Sequence, residues 1–500
     1  MMKRYFSLVL FFALLLLSNI SQAIDKERFV GIQVKSDPSI VVKIWFNVGS
    51  QNDHVGKEGL ANLTSALLSE GGTIEKTYSQ ILEELYPLAT GYSASSSVEM
   101  TIFSGRTHTD NISTYYKLFV DQILNPAFRE EDFNRLKQNQ ITYLETTLRY
   151  SSDEELGKAV LYNKIFNGTG YGHITEGTIS GLKNITLEDV RNFYKKYFNK
   201  NNFVLGLSGN YSDELVNKLW NDLSKLPEGE WNKTEKPVTK KIEGLNYTLV
   251  EKKANASAIS FGFPIDFLRG SREWYALAIA NSWLGEHRNS SSHLYQVIRE
   301  ARGLNYGDYS YIENFPNGGR YSMPPQNVAR KSQIFEVWIR PVPNETRLFS
   351  FRAAFRELKK LVDNGLSKDE FELTKKFLKK YVLHYAKNSA EKLGYVLDDK
   401  FYRLKNSHLI AFRKMMDEIT LDEVNNAIKK HLQYKNMEIV FITDGTEKLR
   451  NDILEDNPSP ITYPTSKPET IYQEDKDIMI FPVSTSAEKI KIMKVEELFN

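Results

Sequence analysis

The chain contains one long pattern twice, and that repeat constrains its fold more than any other feature. The stretch EDFNRLKQNQITYLETTLRYSSDEELG, ending at Gly157, is echoed by DEFELTKKFLKKYVLHYAKNSAEKLG, ending at Gly394. Further on, ITLEDVRNFYKKYFNKNNFVLGLSG from Ile185 is matched by ITLDEVNNAIKKHLQYKNMEIVFITDG from Ile419. Order and spacing agree at a period of roughly 235 residues, far longer than a solenoid unit, so the repeat is a duplicated domain. Each copy has the same plan. A strand (Val41 to Val48, Ser257 to Phe263) precedes a helical stretch (Gly59 to Ser69, Glu273 to Leu284), and long amphipathic helices follow. A helix capped by Thr186 or Thr420 then leads into a buried-type strand, Phe203 to Leu207 or Glu438 to Ile442. The predicted fold class is α+β, two homologous α/β sandwich domains with an antiparallel-rich sheet covered by helices.

Five hundred residues are too many for one core. Residues 1–23 read as a secretory signal, with Lys3 and Arg4, an apolar run from Phe6 to Leu17, and Ser21-Gln22-Ala23 as a small-x-small cleavage site. The first copy is expected over 24–230, a linker over 231–248, overlapping the polar run Pro227 to Gly244 that carries two prolines, and the second copy over 249–455. Residues 456–500 are Pro-rich and are expected to form an extended arm on the surface or a mobile tail. The Phe6 to Leu17 run is too short for a stable membrane span, and no second apolar stretch of about 20 residues follows. The chain has no cysteine, which excludes disulfides, thiolate metal sites and a cysteine nucleophile. Export without disulfides points to the periplasm, with secretion as the alternative. A net charge of +2, with both signs interspersed, leaves no basic stripe for nucleic acid.

Two α+β copies on one exported chain, with Gly59-Leu60-Ala61 leading a helix that follows a strand, and Gly71-Gly72-Thr73 after it, resemble the pitrilysin/insulinase family of zinc peptidases in its short two-domain form. That family carries an inverted zinc motif, H-x-x-E-H, on this helix. Here the five positions read Asn62-Leu63-Thr64-Ser65-Ala66. Asn62 and Ala66 stand where the histidine ligands would be, and Ser65 stands where the general-base glutamate would be. A catalytic zinc needs three protein ligands, with water in the fourth position and a carboxylate beside it; an amide and a methyl supply neither. The family's third ligand would fall near Tyr143 and Leu144, with Glu145 one residue past. No two of the eight histidines stand three or four apart, as a helix needs to aim two ligands at one metal. The lone H-x-x-E, His173 to Glu176, sits in a glycine-bracketed loop and reads as structural.

The second copy keeps more. Arg299-Glu300-Ala301-Arg302-Gly303-Leu304-Asn305-Tyr306 is similar to the family's R-E-x-x-G-L-x-Y signature. The resemblance implies that Arg299 and Tyr306 donate hydrogen bonds to a scissile carbonyl, a contribution worth roughly 2.7 to 4 kcal/mol per donor in comparable sites. Just before it, the polar loop Glu286 to Ser292 is expected to cap the Arg299 helix through a serine. The expectation is therefore a non-catalytic subunit that binds no cofactor itself and lends Arg299 and Tyr306 to a zinc-bearing paralogous peptidase subunit. Its ligands would be peptides or unfolded protein segments. The alternative is a scaffold or peptide-binding module with no part in catalysis, taking extended peptides on a sheet edge.

Overall fold

A computed structural model describes residues 24–500. The expected signal, residues 1–23, lies outside the described residues. Among these described residues eleven strands form two sheets, β1 Phe29–Gln33, β2 Ser39–Phe46, β3 Gly91–Ser96, β4 Thr101–His108 and β5 Phe203–Gly209 in the first, and β6 Leu245–Glu251, β7 Ala256–Ile265, β8 Asp308–Tyr311, β9 Gln333–Pro343, β10 Met437–Thr443 and β11 Ile490–Lys494 in the second. The strand orders are β1-β5-β2-β4-β3 and β11-β6-β10-β7-β9-β8. Without β11 the two orders coincide strand for strand. In both sheets the first-listed pair of that shared order, β1 with β5 and β6 with β10, is parallel, and the remaining shared pairs are antiparallel. The fold is α+β with two helix-covered sheets, as the repeat predicts.

Local chemistry repeats as faithfully. Thr186 accepts from the Asp189 N–H at 3.2 Å, and Asp189 accepts from the Thr186 N–H at 2.8 Å. Thr420 and Glu423 form the same reciprocal box at 3.3 and 2.9 Å. Each box satisfies two N–H groups that a helix start leaves free. Both boxed helices, Leu187–Tyr197 and Leu421–His431, then hand the chain to an interior strand of their sheet, β5 and β10.

Each copy covers one face of the other's sheet. The helix Asp153–Ile165 of the first copy lies on β7 and β10 of the second, and its repeat counterpart Ser389–Phe401 lies on β5 and β1 of the first. Leu393 and Leu397 of the latter are fully buried against Val30, Val41, Trp45 and Val204. Each such leucine contributes roughly 1.5–3 kcal/mol by leaving water. The shared Leu-Gly marks these contacts. A Cβ on Gly157 would stand 3.4 Å from the Ser260 hydroxyl of the second copy, and one on Gly394 3.0 Å from Lys43 Nζ of the first. The helix backbones therefore sit close to the opposite copy.

Residues 227–244 carry no helix or strand, yet they lie against the first copy: Trp231 packs edge-on to Trp45 at 5.7 Å, and Asn232 donates to the Asn47 carbonyl at 2.8 Å. Beyond residue 456 the chain is more deeply built in than a surface arm or a mobile tail. Its prolines give way to a helix, Glu469–Met479, and then to β11, which pairs in parallel with β6. Two arginines of the second copy, their side chains wholly buried, hold this segment. Arg302 donates to Asp475 at 2.9 Å and to Glu474 at 2.8 Å, and Arg352 donates to Asp456 at 2.9 Å and to the Met479 carbonyl at 2.7 Å. The last residues reach the first copy, where the Phe499 carbonyl accepts from the Ile179 N–H at 2.7 Å and Arg149 donates to the Leu498 carbonyl. No helix among the described residues is long and apolar enough to cross a membrane. Removing one partner of a buried ion pair typically costs 3–5 kcal/mol. Asp475→Ala, which leaves Arg302 only Glu474, is accordingly expected to lower stability by about 3 kcal/mol in denaturant unfolding.

Candidate functional site

The helix Leu60–Glu70 keeps the placement that its lead-in glycine implies. Gly59 has φ +107°, and a Cβ there would stand 2.7 Å from the Glu176 carbonyl, so only glycine fits. The buried Asp53 carboxylate accepts the Gly59 and Ala61 N–H groups, each at 2.7 Å, and ties down the helix start. Burial pushes the Asp53 carboxyl well above the usual carboxylate range. On this helix Asn62 faces a cleft, while Ser65 is buried and donates to the Asn62 carbonyl at 2.8 Å, turned back on its own turn. Ala66, one turn on from Asn62, presents a methyl group. The third-ligand region is a π-helical turn, Tyr143–Leu148. Tyr143 lines the same cleft as Asn62, whereas Leu144 is fully buried in the core and Glu145 is not among the lining residues. An amide, a turned-in hydroxyl, a methyl and a phenol do not fit zinc. Among the described residues no group of three or more His, Asp or Glu side chains stands together as a metal site.

His173 and Glu176 also line this cleft. The His173 ring is engaged at Nδ1 with the Ile174 carbonyl at 2.9 Å, and its Nε2 stands 3.8 Å from Asp53. Burial lowers its pKa below the ordinary histidine value. The Glu176 carbonyl accepts from Gln140 at 2.6 Å, and Gln140 also donates to the Gly59 carbonyl at 3.2 Å. The loop braces the start of the motif helix.

The cleft, about 460 Å³, lies between the copies. One wall is β3, the outer strand of the first sheet, with Ala94 to Val98 facing the opening. The other wall comes from the β8–β9 connection, residues 312–332, which replaces the short turn over residues 97–100 that joins β3 to β4. Pro316, Pro325 and the Gly318-Gly319 pair in this segment were its sequence signal, since the first copy has no counterpart. Beneath it two buried cations, Lys158 and Arg330, are held by rings. Lys158 lies 4.6 Å over Tyr311 and 3.9 Å from the buried Glu336, and Arg330 lies 4.8 Å over Tyr162.

The structure brings Arg299 and Tyr306 together but away from this cleft. Arg299 is the penultimate residue of a π-helical turn, Tyr295–Glu300, and its guanidinium stacks 5.5 Å over the Tyr306 ring, which is 77% exposed. Neither residue lines the cleft that Asn62 faces. The loop before them differs from expectation, because no serine caps the turn. Asn289 organises it instead, accepting from the Ser291 N–H at 3.1 Å through its side chain and from the Ser292 hydroxyl at 2.9 Å through its carbonyl. His287 is buried between the Tyr311 hydroxyl at 2.8 Å and the Tyr321 carbonyl at 2.9 Å, and burial pushes its pKa down to about 4. Burial pushes the neighbouring Glu286 carboxyl up to about 7.

Two expectations follow from this geometry. Asn62→His, Ser65→Glu and Ala66→His combined with Tyr143→Glu should bind about one zinc per chain by elemental analysis. The same set with Leu144→Glu in place of Tyr143→Glu should bind none, since that side chain points into the core. For Glu286 the folded pKa lies above the unfolded one, so the folded state holds the proton more tightly. Stability then falls as pH rises from about 4.5 to about 7, by up to about 3 kcal/mol. Glu286→Gln should match the wild type near pH 4.5 and melt at a higher temperature at pH 8.

With the geometry in place, comparison with known proteins gives a consistent family. Residues 28–178 match the model described as Insulinase (Peptidase family M16), and residues 184–378 match the one described as Peptidase M16 inactive domain. An uncharacterized zinc protease of Rickettsia bellii is 25% identical over 287 residues, 57% of this chain and 67% of that protein. The non-peptidase homolog YmxG of Helicobacter pylori is 20% identical over 421 residues, 81% of this chain and 89% of that protein. A peptidase M16 inactive domain from Pseudomonas fluorescens has the same fold, with a TM-score of 0.73 at 22% identity over 83% of this chain and 95% of its own. The two family matches run in tandem through both copies, and the chain belongs to the insulinase (M16) peptidase family as a member without the zinc motif.

Proposed function

We propose that this chain is the non-catalytic subunit of a heteromeric zinc peptidase, working in the periplasm beside a zinc-bearing paralogous subunit. It forms half of a peptide chamber and supplies Arg299 and Tyr306 to the carbonyl of a peptide held at the partner's metal. The observation that carries this reading is the unequal fate of two motifs. The zinc positions Asn62, Ser65 and Ala66 have lost every ligand inside an intact frame, while Arg299 and Tyr306 remain stacked on one another with the phenol exposed. A guanidinium and a phenol so placed are free to meet a substrate that another chain presents, and donors aimed at a developing oxyanion lower the barrier most where water is excluded.

A second reading draws on β3. Among the described residues its outer edge is unpaired, and it carries small side chains from Ser93 to Ser96 and opens onto the cleft between the copies. Such an edge takes an extended peptide by strand addition without chemistry, as a peptide-binding module would.

The two readings part on one experiment. The pair is reconstituted with a zinc-bearing paralogue, and peptide turnover is compared for the wild type and for Arg299→Gln combined with Tyr306→Phe. The first reading expects kcat to fall by on the order of 100-fold per donor, with the pair still assembled. Unchanged turnover removes it and leaves the binding module.

A further inference from the structure

Duplication gives the cleft a counterpart in the second copy. Asn62, which faces the cleft, stands three residues past the helix cap Gly59, and Trp274 stands three past the equivalent cap Ser271. Lys158 follows Gly157, and Tyr395 follows the matching Gly394. Lys158 lines the cleft, whereas Trp274 and Tyr395 line a second pocket, of about 80 Å³. Asn314 and Pro325 of the β8–β9 connection line both.

The second pocket has a different chemistry from the cleft. Four of its rings stand in series, Trp274, Phe412, Tyr385 and Tyr395, with successive centroids 6.0, 6.1 and 6.3 Å apart. Glu286, 8% exposed, also lines it. Burial raises that carboxyl and the Ser282 hydroxyl offsets part of the rise; no cation among the described residues acts on it. Its charge is felt in the pocket, since burial and then Glu286 hold the Tyr385 hydroxyl well above its ordinary range. Asn281, on the same helix as Trp274, leaves its Oδ1 buried without a donor among the described residues. The remaining charged groups of the lining are already engaged. Arg269 donates to Glu313 at 2.8 Å and to Asp398 at 3.4 Å. Burial holds His287 and His408 below the ordinary histidine value.

We infer that this pocket binds a small free primary ammonium ion, with its N–H groups donated to Glu286 and Asn281 and its carbon seated against the four rings. A carboxylate without a counter-charge attracts such a group through charge-assisted hydrogen bonds, and ring faces attract it further. Calcium or magnesium fits poorly, because each takes about six or more oxygen ligands and rings make up much of this lining. Water would satisfy the Asn281 oxygen but would leave Glu286 without a cation. The site belongs to this chain alone and does not depend on the subunit pairing proposed above.

The test is a calorimetric titration of the full chain with methylammonium chloride, against sodium chloride at the same ionic strength. Saturable binding of about one ion per chain is expected at pH 8, and at least tenfold weaker binding in Glu286→Gln. Because burial lifts Glu286 to about 7, a cation that binds only the carboxylate displaces its proton. Binding should therefore release about half a proton at pH 7 and almost none at pH 9, read from the dependence of the heat on the buffer. Trialanine amide presents the same terminal ammonium on a chain too bulky for the pocket, and it should not compete. Absence of saturable binding, equal binding by Glu286→Gln, or no proton release at pH 7 overturns the inference. Competition by trialanine amide as strong as that of methylammonium overturns it as well, since the ligand would then be a peptide terminus on an open surface.

Discussion

Everything in this molecule depends on the exchange of one helix between the two copies. A sheet has two faces, and in each copy the local helices cover only one of them. The other face is closed by a helix that belongs to the opposite copy, Asp153–Ile165 in one direction and Ser389–Phe401 in the other. Separating the copies would expose Val30, Val41, Trp45 and Val204 on one sheet and Val440, Ile442 and Ala258 on the other. Apolar surface costs roughly 25 cal/mol per Å² to expose, so the two copies are held together by a shared core and not by the linker alone. The copies therefore form one body, and the cleft between them has fixed walls.

That rigidity accounts for how the zinc motif could disappear without disturbing its surroundings. The start of the motif helix is held by Asp53 and by the Gln140 bridge to the His173–Glu176 loop, none of which is a ligand position. Changing His to Asn or Ala and Glu to Ser on such a helix removes charge and bulk but breaks no brace. Ser65 satisfies its hydroxyl within its own turn, so the change buries no orphaned donor. The π-helical turn at Tyr143–Leu148 still aims one side chain at the cleft and the next into the core, and it keeps that geometry with tyrosine and leucine in place.

Much of this was legible in the sequence, and the reasons differ by element. The repeat announced two equivalent sheets because the Thr-capped helices and the strands after them are local structures with strong signals. Strand and helix positions around Ile44, Leu63, Ile259 and Leu277 followed from periodicity, and the structure places each in the expected element. The helix exchange was not readable, since an amphipathic pattern says that a face is buried but not by which sheet. The C-terminal strand was hidden by the prolines before it, which signal an extended chain without saying that the chain ends in a sheet. Arg302 falls at an unspecified position inside the Arg299–Tyr306 motif, and its buried pairing with Asp475 was not readable because it is a contact between residues far apart in sequence. The β8–β9 wall of the cleft could have been found by aligning the copies and asking where one has residues that the other lacks.

The differences between the copies carry more functional information than their likeness. Duplication begins with two identical sheets, so each later departure shows where the two halves came to be used differently. The departures here concentrate at sheet edges. One outer edge lies in the cleft and is walled by a long connection from the other copy; its counterpart, β8, is buried. At the opposite side one edge is covered by β11, and among the described residues the other is bare. Sheet edges are where a protein meets extended chain, because only there are backbone groups unpaired in a row. In this M16 family member without the zinc motif, the two copies thus differ most where rows of backbone groups lie at a sheet edge, and it is on those edges that the proposed reading of β3 rests.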